Sequence, residues 1–432
     1  MLGFAQLSSS SATSSFYSTM CDASLSTVAK AVVSTSFLAY LYFKTYEPGY
    51  KNRLALLVLL AIVPSMLASF ASLHTTSLAL ASFASYYALI LFFTVIYRLS
   101  PFHPLAHYPG PVLPKVSKWY SSYVCFQGKQ HLWYQALHEQ YGDIVRVGPN
   151  ELSIRDASAI MDVCSLPKGP IWDNRSNPVV LVGERDVDVH ARRRKTWNRG
   201  LTSTALKEYE GLVEARARQL VERFECLSQE SKARVDIASW LSYFATDFMG
   251  DMAFGGGFEL MRAGGDECGV WTSITKGMES IALLAHASWS IPFISCIPGL
   301  KNNERIKSMR EFGKKSTLNR IKVGAVRKDL FYHLSDEDHR ESVRPALTTM
   351  IADGLLAIIA GSDTTSTVLS SVVYFLLCHP AAYQRLQEEI AENFLPEEDP
   401  TDASRLSRMP WLNACINEAM RLLPPNPSGS QR

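Results

Sequence analysis

Pro345-Ala346-Leu347-Thr348-Thr349-Met350-Ile351-Ala352-Asp353-Gly354-Leu355-Leu356-Ala357-Ile358-Ile359-Ala360-Gly361-Ser362-Asp363-Thr364-Thr365 opens a stretch of apolar and small side chains that runs on to His379-Pro380. From Ala346 to His379 its only charges are Asp353 and Asp363. As one helix it would be about 50 Å long at 1.5 Å per residue, which predicts an element buried through the middle of a domain. A membrane span is the poorer reading, because two aspartates and a Gly-Ser-Asp-Thr-Thr centre are costly in lipid. At that centre a flat ligand can approach the backbone where Gly361 lacks a Cβ. Thr364 can bond the carbonyl of the preceding turn and bend the helix, and an Asp beside a Thr in a roomy buried place suits a proton relay. Taken alone, the motif reads as well as a Gly/Thr packing site with an incidental Asp.

Downstream come His379-Pro380, the amphipathic Gln384-Arg385-Leu386-Gln387-Glu388-Glu389-Ile390, and Trp411 to Pro425, where Glu418 and Arg421 stand three apart on one face of a helix ended by prolines. Upstream, Ile144 to Ile154 alternates on both sides of Gly148-Pro149-Asn150, the pattern of a β-hairpin. Asp188 to Glu225 mixes Arg and Glu with spaced apolar residues and reads as amphipathic helix. Glycines at 255–257 and 264–265 read as loop and match no dinucleotide fingerprint.

The amino-terminal end is of another kind. Leu54 to Tyr97 carries no Asp, Glu, Lys or Arg and divides at His74-Thr75-Thr76-Ser77 into two stretches, each of about 20 residues and long enough to cross a hydrocarbon core. Ala31 to Phe43, extended upstream through Leu25, is a candidate third. Lys44, Lys51 and Arg53 before, and Arg98, Lys115 and Lys118 after, place the remaining chain on the cytosolic side. Residues 1–100 therefore read as a membrane region with two or three helices, 101–115 as a proline-rich hinge around Tyr108-Pro109-Gly110-Pro111, and 116–432 as the globular body. With 43 basic and 41 acidic residues, the net charge of +2 supplies no field for nucleic acid. The eight cysteines include no CxxC pair and no Cys/His cluster at zinc spacing, so the body reads as reduced and cytosolic.

In this order and spacing, Ala360-Gly361-Ser362-Asp363-Thr364-Thr365, Glu418-x-x-Arg421, the proline hinge and the Val-Gly-Pro-Asn hairpin resemble the cytochrome P-450 family, the haem-thiolate monooxygenases, and most closely its membrane-bound fungal members. The resemblance implies a mainly α fold with a small β-sheet, incomplete at its carboxyl end, behind transmembrane helices. By it, Asp363 and Thr364 deliver protons to bound dioxygen, and Ala360 and Gly361 flank the haem. Glu418 and Arg421 form a structural ion pair. The family's Trp-x-x-x-Arg helix is matched by His190-Ala191-Arg192-Arg193-Arg194, which makes Arg194 the haem-propionate partner and His190 a second donor. Arg192 and Arg193 read as a solvated basic face or a contact for an acidic reductase.

The family also places its axial cysteine on a Phe-x-x-Gly-x-Arg-x-Cys-x-Gly loop well after Glu-x-x-Arg, and no such loop precedes Arg432. Cys268, Cys378 and Cys415 read as small core residues, so no metal ligand is assigned and the chain is expected to be a fragment that is inactive as it stands. The implied function is insertion of one oxygen atom of O2 into an apolar small molecule, in fungal secondary or xenobiotic metabolism. Electrons would come from NADPH through a membrane-bound reductase, at the endoplasmic-reticulum membrane. The alternative is a membrane-anchored, non-enzymatic remnant unable to hold haem. Ile281 to Pro298, with Trp289 and Phe293, is a candidate substrate lining, or plain core.

Overall fold

The structure, a computed structural model, describes residues 10–46, 52–72, 75–169, 172, 179–230, 234–294, 297, 299–341, 343–395, 398 and 400–426. They divide into two compact units, one of residues up to Ala159 with His286–Ile294, the other of Ile160–Ala285 with Ser295 onward.

In the first unit three apolar helices pack together. They are α1 (Ser10–Thr45), α2, which runs through Arg53–Leu57, a π turn at Val58–Ile62 and Val63–Ser72, and α3 (Thr76–Leu99). Their shared core is Val28, Val32, Ala39, Ala71 and Tyr86. Each contains a stretch long and apolar enough to cross a membrane: Leu25–Thr45, Leu54–Ala71 and Thr76–Leu99. Pro64, just beyond the π turn, has no N–H to offer the carbonyls four and five residues before it, and in apolar surroundings each needs another donor. The Tyr86 hydroxyl donates to the Leu59 carbonyl at 2.8 Å and that of Tyr87 to the Leu60 carbonyl at 2.5 Å. Of the connection between α2 and α3, His74 lies outside the described residues, and Thr75 caps α3 by accepting from the Leu78 amide.

After α3 come α4 (Val112–Val116), α5 (Trp119–Phe126), α6 (Gln130–Tyr141) and the antiparallel pair β1 (Ile144–Gly148) and β2 (Glu151–Ile154). The hairpin expected from alternation is present, with Ile144 opposite Ile154 and an irregularity between Arg146 and Gly148. The fully buried Arg146 ties the proline segment to it, donating to the Arg98 and Pro149 carbonyls while its amide donates to the Pro109 carbonyl. Gly110, at φ 154°, lies so close to this strand that a Cβ would sit 2.3 Å from the Arg146 carbonyl oxygen.

The second unit is helical: α7 (Val187–Arg199), α8 (Ser203–Glu230), α9 (Ile237–Phe254), α10 (Val270–Ala285), α11 (Lys301–Val323), α12 (Leu330–Leu334), α13 (Leu347–Cys378), α14 (Pro380–Asn393) and α15 (Pro410–Leu422). The mainly α architecture with one small sheet is thus as the sequence implied. The long helix α13 is buried over part of its length, where Met350, Ala357 and Ile358 join Met249, Met252, Ala253 and Phe254 of α9 in one core with Leu330, Phe331 and Leu334; toward its carboxyl end Tyr374 and Leu377 are exposed, unlike the element buried throughout that the sequence suggests. Small residues let the two helices close in. A Cβ on Gly361 would stand 2.3 Å from the Met249 sulfur, one on Gly354 would stand 3.0 Å from the Phe254 ring, and Ser362 is fully buried. α9 ends at Gly255 in the left-handed region, and the glycine loop beyond it is held by the buried Asp247, which accepts from the Phe258, Leu260 and Met261 amides at 3.0–3.1 Å.

Because Gly361 meets Met249 directly, Gly361→Val should lower the stability of the second unit by about 1–3 kcal/mol through overpacking. Adding Met249→Ala should recover much of that loss in thermal unfolding. Independent, additive effects of the two changes would show that the helices do not meet there.

Candidate active site

On α13 the residues Ala360, Asp363, Thr364 and Thr367 share one face, by the three- and four-residue spacing of a helix. Ala360 and Asp363 are exposed and Thr364 is half-buried. The packing face, by contrast, carries Gly361 and Ser362 against α9. Thr364 Oγ1 donates to the Ala360 carbonyl at 2.6 Å, the back-bond expected of a helix-interior threonine. Asp363 reaches the surface, yet its carboxyl is crowded by protein atoms, and that loss of water pushes its pKa above the usual carboxylate range. The strip therefore offers a small residue, a hydroxyl and an acid inclined to keep its proton. The sequence motif combined two roles that the structure separates: Ala360, Asp363 and Thr364 face outward, while the missing Cβ of Gly361 accommodates a neighbouring helix.

The basic helix α7 begins at Asp186, whose carboxylate accepts from the Asp188 and Val189 amides. His190 is half-buried, its amide donating to the Asp186 carbonyl at 2.8 Å; burial, then the cations of Lys168 and Arg194, push its imidazole pKa down against the pull of Glu184. Arg194 is exposed and donates to Asn198 Oδ1 at 3.0 Å. Neither touches Asp363 or Thr364. The contact between α7 and α13 is made by their neighbour. Arg193 Nη2 donates to Asp353 Oδ1 at 2.6 Å, its Nη1 donates to the Val179 carbonyl, and Glu184 stands 3.8 Å away. This corrects the reading of Arg193 as solvated, for a carboxylate held 6% exposed inside an apolar helix needs a cation. Arg192 is exposed, as expected.

A second clasp holds the end of α7. Arg199 bonds Glu341 and lies 3.5 Å from Asp336, while Thr196 donates to Glu341 at 3.3 Å. Asp336 is fully buried at φ 53° and accepts from the Arg340 and Glu341 amides. Sequence reasoning passed over both clasps. The signal for the first was present, since the long helix has only two charges and the nearest basic cluster had one arginine too many for its assigned tasks.

Glu418 and Arg421 form the expected bidentate pair, 2.7 Å on each arm, on an exposed face of α15. The cysteine reading needs correction. Cys268 and Cys378 are exposed, and Cys415 is half-buried with its thiol pKa pushed up by burial and Glu389. Each is free, and Cys378 stands roughly 27 Å along α13 from Ala360 at 1.5 Å per residue. The side chains of Trp289 and Phe293, named as a possible lining, lie outside the described residues.

Comparison with known proteins fixes the class. Residues 173–432 match the cytochrome P-450 family. The chain is 36% identical over 352 residues to cytochrome P-450 monooxygenase FCK2 of Fusarium pseudograminearum, covering 79% of this chain and 62% of that protein. It is 31% identical over 340 residues to monooxygenase nodW of Hypoxylon pulicicidum, covering 78% and 61%. With a tryprostatin B 6-hydroxylase of Neosartorya fischeri it shares 30% over 348 residues, covering 79% and 62%. The chain belongs to the cytochrome P-450 family, and it spans about three fifths of the length of these relatives.

The family implies haem, and the donors present fit part of that group. His190 and the exposed Arg194 on one helix suit its carboxylates, and the exposed small side chain of Ala360 leaves room for a flat edge. Of the described cysteines, Cys378 shares the face of Ala360 by helix spacing but stands roughly 27 Å along the axis from it, five turns away.

Arg193→Leu should strand the Asp353 carboxylate and cost about 3–5 kcal/mol, as removal of one partner of a buried pair does. Burial already raises the Asp353 pKa, so the penalty belongs to the charged form. It is full at neutral pH and shrinks as pH falls toward that raised pKa. Thermal unfolding from neutral to acidic pH checks the sign, and a loss independent of pH would contradict it.

Proposed function

We propose that this chain carries the proton-handling and haem-carboxylate elements of a membrane-anchored monooxygenase that inserts one oxygen atom of O2 into an apolar small molecule. Electrons come from NADPH through a membrane-bound reductase, and the setting is fungal secondary or xenobiotic metabolism. The observation that carries the reading is the open strip of α13, where a desolvated Asp363 adjoins Thr364 on a helix fastened by Asp353 to the basic helix α7.

Haem, when bound, supplies electron acceptance and oxygen activation. Arg194 and His190 would hold its carboxylates, the guanidinium by parallel hydrogen bonds and the imidazole as a second donor. Ala360 keeps the strip low. Asp363, its pKa raised, retains a proton on its carboxyl oxygen at higher pH than a solvated aspartate would. Thr364 Oγ1 can exchange its back-bond to Ala360 for a donor position toward the open side. Cys378, the described cysteine on the helix of this strip, lies roughly 27 Å along it from Ala360, so the 432 residues should give no thiolate-type carbon monoxide spectrum. Such a spectrum would make one of their cysteines an iron ligand and overturn this assignment.

Three N-terminal apolar helices, with basic residues at Lys44, Arg98, Lys115 and Lys118, support an anchor in the endoplasmic-reticulum membrane with the body in the cytosol. Alkaline carbonate should leave the protein in the membrane pellet, and recovery in the supernatant would refute the anchor.

In the haem-loaded enzyme with its reductase, Thr364→Ala should shift NADPH oxidation from product toward hydrogen peroxide. Asp363→Asn should slow turnover by about tenfold or more while leaving substrate-induced spectral shifts intact. The Asp363-dependent part of the rate should fall as pH rises through the raised pKa, because the protonated acid is the donor. Unchanged coupling and rate in both variants would remove these residues from proton delivery.

A further inference from the structure

Two stretches of the second unit carry opposite charge. From Phe312 to Lys328 the sequence has Lys314, Lys315, Arg320, Lys322, Arg327 and Lys328 and no Asp or Glu. From Leu386 to Ser404 it has seven Asp or Glu and no Lys or Arg. In the basic stretch Arg320 turns inward, to Asp329 and Glu337. The other five cations are exposed, and none pairs with an acid among the described residues. The macrodipole of α11 favours a cation in its last turn, which accounts for Lys322 but not for Lys314 and Lys315, two turns earlier. Lys314, Leu318, Ile321 and Lys322 are exposed and share one face by helix spacing, and Val326, in the connection after Gly324, is 83% exposed. In the acidic stretch Glu388 and Glu392 are exposed four residues apart on α14, with Leu395 just beyond its end 74% exposed. Neither acid pairs with a cation among the described residues. The base before them, Arg385, lies over the Trp411 ring at 3.9 Å, and Glu389 and Glu398 are occupied by the α15 amides and Arg405.

Within one molecule the two surfaces stand apart. α11 passes Leu355 at Gly313 and reaches Gly354 at Thr317, so its later residues lead toward the start of α13. α14 follows the other end, after Cys378. Leu355 and Cys378 are roughly 35 Å apart along the axis at 1.5 Å per residue. Each surface is therefore open to another molecule and closed to its own counterpart.

We propose that copies of this chain associate head to tail, Lys322, Val326 and Arg327 of one copy docking on Glu388, Glu392 and Leu395 of the next. Two observations select a second copy as the occupant. The surfaces are complementary in charge, which sets register and suppresses like-with-like pairing. Each also holds an exposed aliphatic side chain among its charges, so that contact excludes water at its centre and leaves the ion pairs at its rim. A bilayer suits the basic surface less well, because no Trp or Tyr, the side chains that settle at membrane–water interfaces, stands between Phe312 and Lys328. Since the two surfaces differ and lie toward opposite ends of α13, the contact is heterologous and repeats from copy to copy.

Isotopically light and heavy full chains are reconstituted together in phosphatidylcholine vesicles, the light copies carrying the photoreactive residue p-benzoylphenylalanine in place of Val326. After irradiation, mass spectrometry should find light-to-heavy adducts on peptides spanning Leu386 to Leu395. Lys322→Glu with Arg327→Glu in the light copies should lower these adducts by about tenfold or more, and so should Glu388→Lys with Glu392→Lys in the heavy copies. Combining the reversed light copies with the reversed heavy copies should restore them, which loss of folding in either variant could not do. Adducts that ignore the reversals, a combination that fails to recover, adducts elsewhere on the heavy chain, or none at all would overturn the head-to-tail contact. Adducts on phospholipid in their place would assign the basic surface to the membrane. In native microsomes, adducts on a different, acidic protein with none on this chain would assign it to that partner, and either result would overturn the proposal.

Discussion

A carboxylate inside an apolar helix is tolerated only if a cation reaches it, and Asp353 imposes that condition on the whole second unit. Arg193 meets it at 2.6 Å. Because Arg193 belongs to α7, satisfying Asp353 brings a strongly basic helix against the longest apolar one, and Arg199 with Thr196 secures its other end at Asp336 and Glu341. Once α7 is held at both points, its rotation is no longer free. Arg194, next in sequence to the half-buried Arg193, is directed outward, and His190, one turn earlier, is left with its imidazole half-buried. The anion-seeking character of this cluster follows from how its neighbour is employed.

The same helix α13 divides its circumference between two tasks. Gly354, Gly361 and Ser362 let α9 approach closely, while Ala360, Asp363 and Thr364 form an open strip. Asp353 and Ala360 are seven residues apart, nearly two turns, so they lie on about the same stripe and roughly 10 Å apart along the axis. One stripe thus passes from a buried, paired acid to an uncovered reactive surface. A shift of α7 would loosen the pairing of Asp353 and the setting of the strip together, which makes Arg193 a positioning residue for a site it does not enter.

Periodicity and composition made much of this legible. The hairpin at 144–154, the buried helix after Pro345 and the apolar helices before Leu99 are each specified by local pattern: alternation about a turn, a long run with two charges, stretches with none. The pairing of Glu418 with Arg421 follows from helix spacing alone. What local pattern could not supply was partner choice at a distance. Arg192, Arg193 and Arg194 are indistinguishable as residue types, and only the three-dimensional path of α7 decides which meets Asp353, 160 positions away in the chain. Nor does the motif at 360–365 reveal that its glycine and its acid face different ways, because that depends on where Met249 lies. The cysteines were misjudged for a related reason: apolar neighbours in sequence do not bury a side chain that turns to the outer face of its helix, as at Cys378.

The two units obey one rule of polar satisfaction with different results. In the second, buried charges at Asp353, Asp336 and Asp329 each find a guanidinium, and Asp247 takes three backbone amides instead. In the first, the buried Arg146 is satisfied by backbone carbonyls, and between α2 and α3 the polar groups needing partners are the carbonyls that Pro64, having no N–H, leaves without a donor. Tyr86 and Tyr87 bind two of them from across the helix pair. Those bonds tie α2 to α3 between apolar helix faces. Pro64 has no N–H, so the Leu60 carbonyl lacks its ordinary i+4 donor and the Leu59 carbonyl its i+5 donor. Pro64 and the two tyrosines are therefore a matched set, and loss of a tyrosine hydroxyl would leave a carbonyl as an unsatisfied polar group.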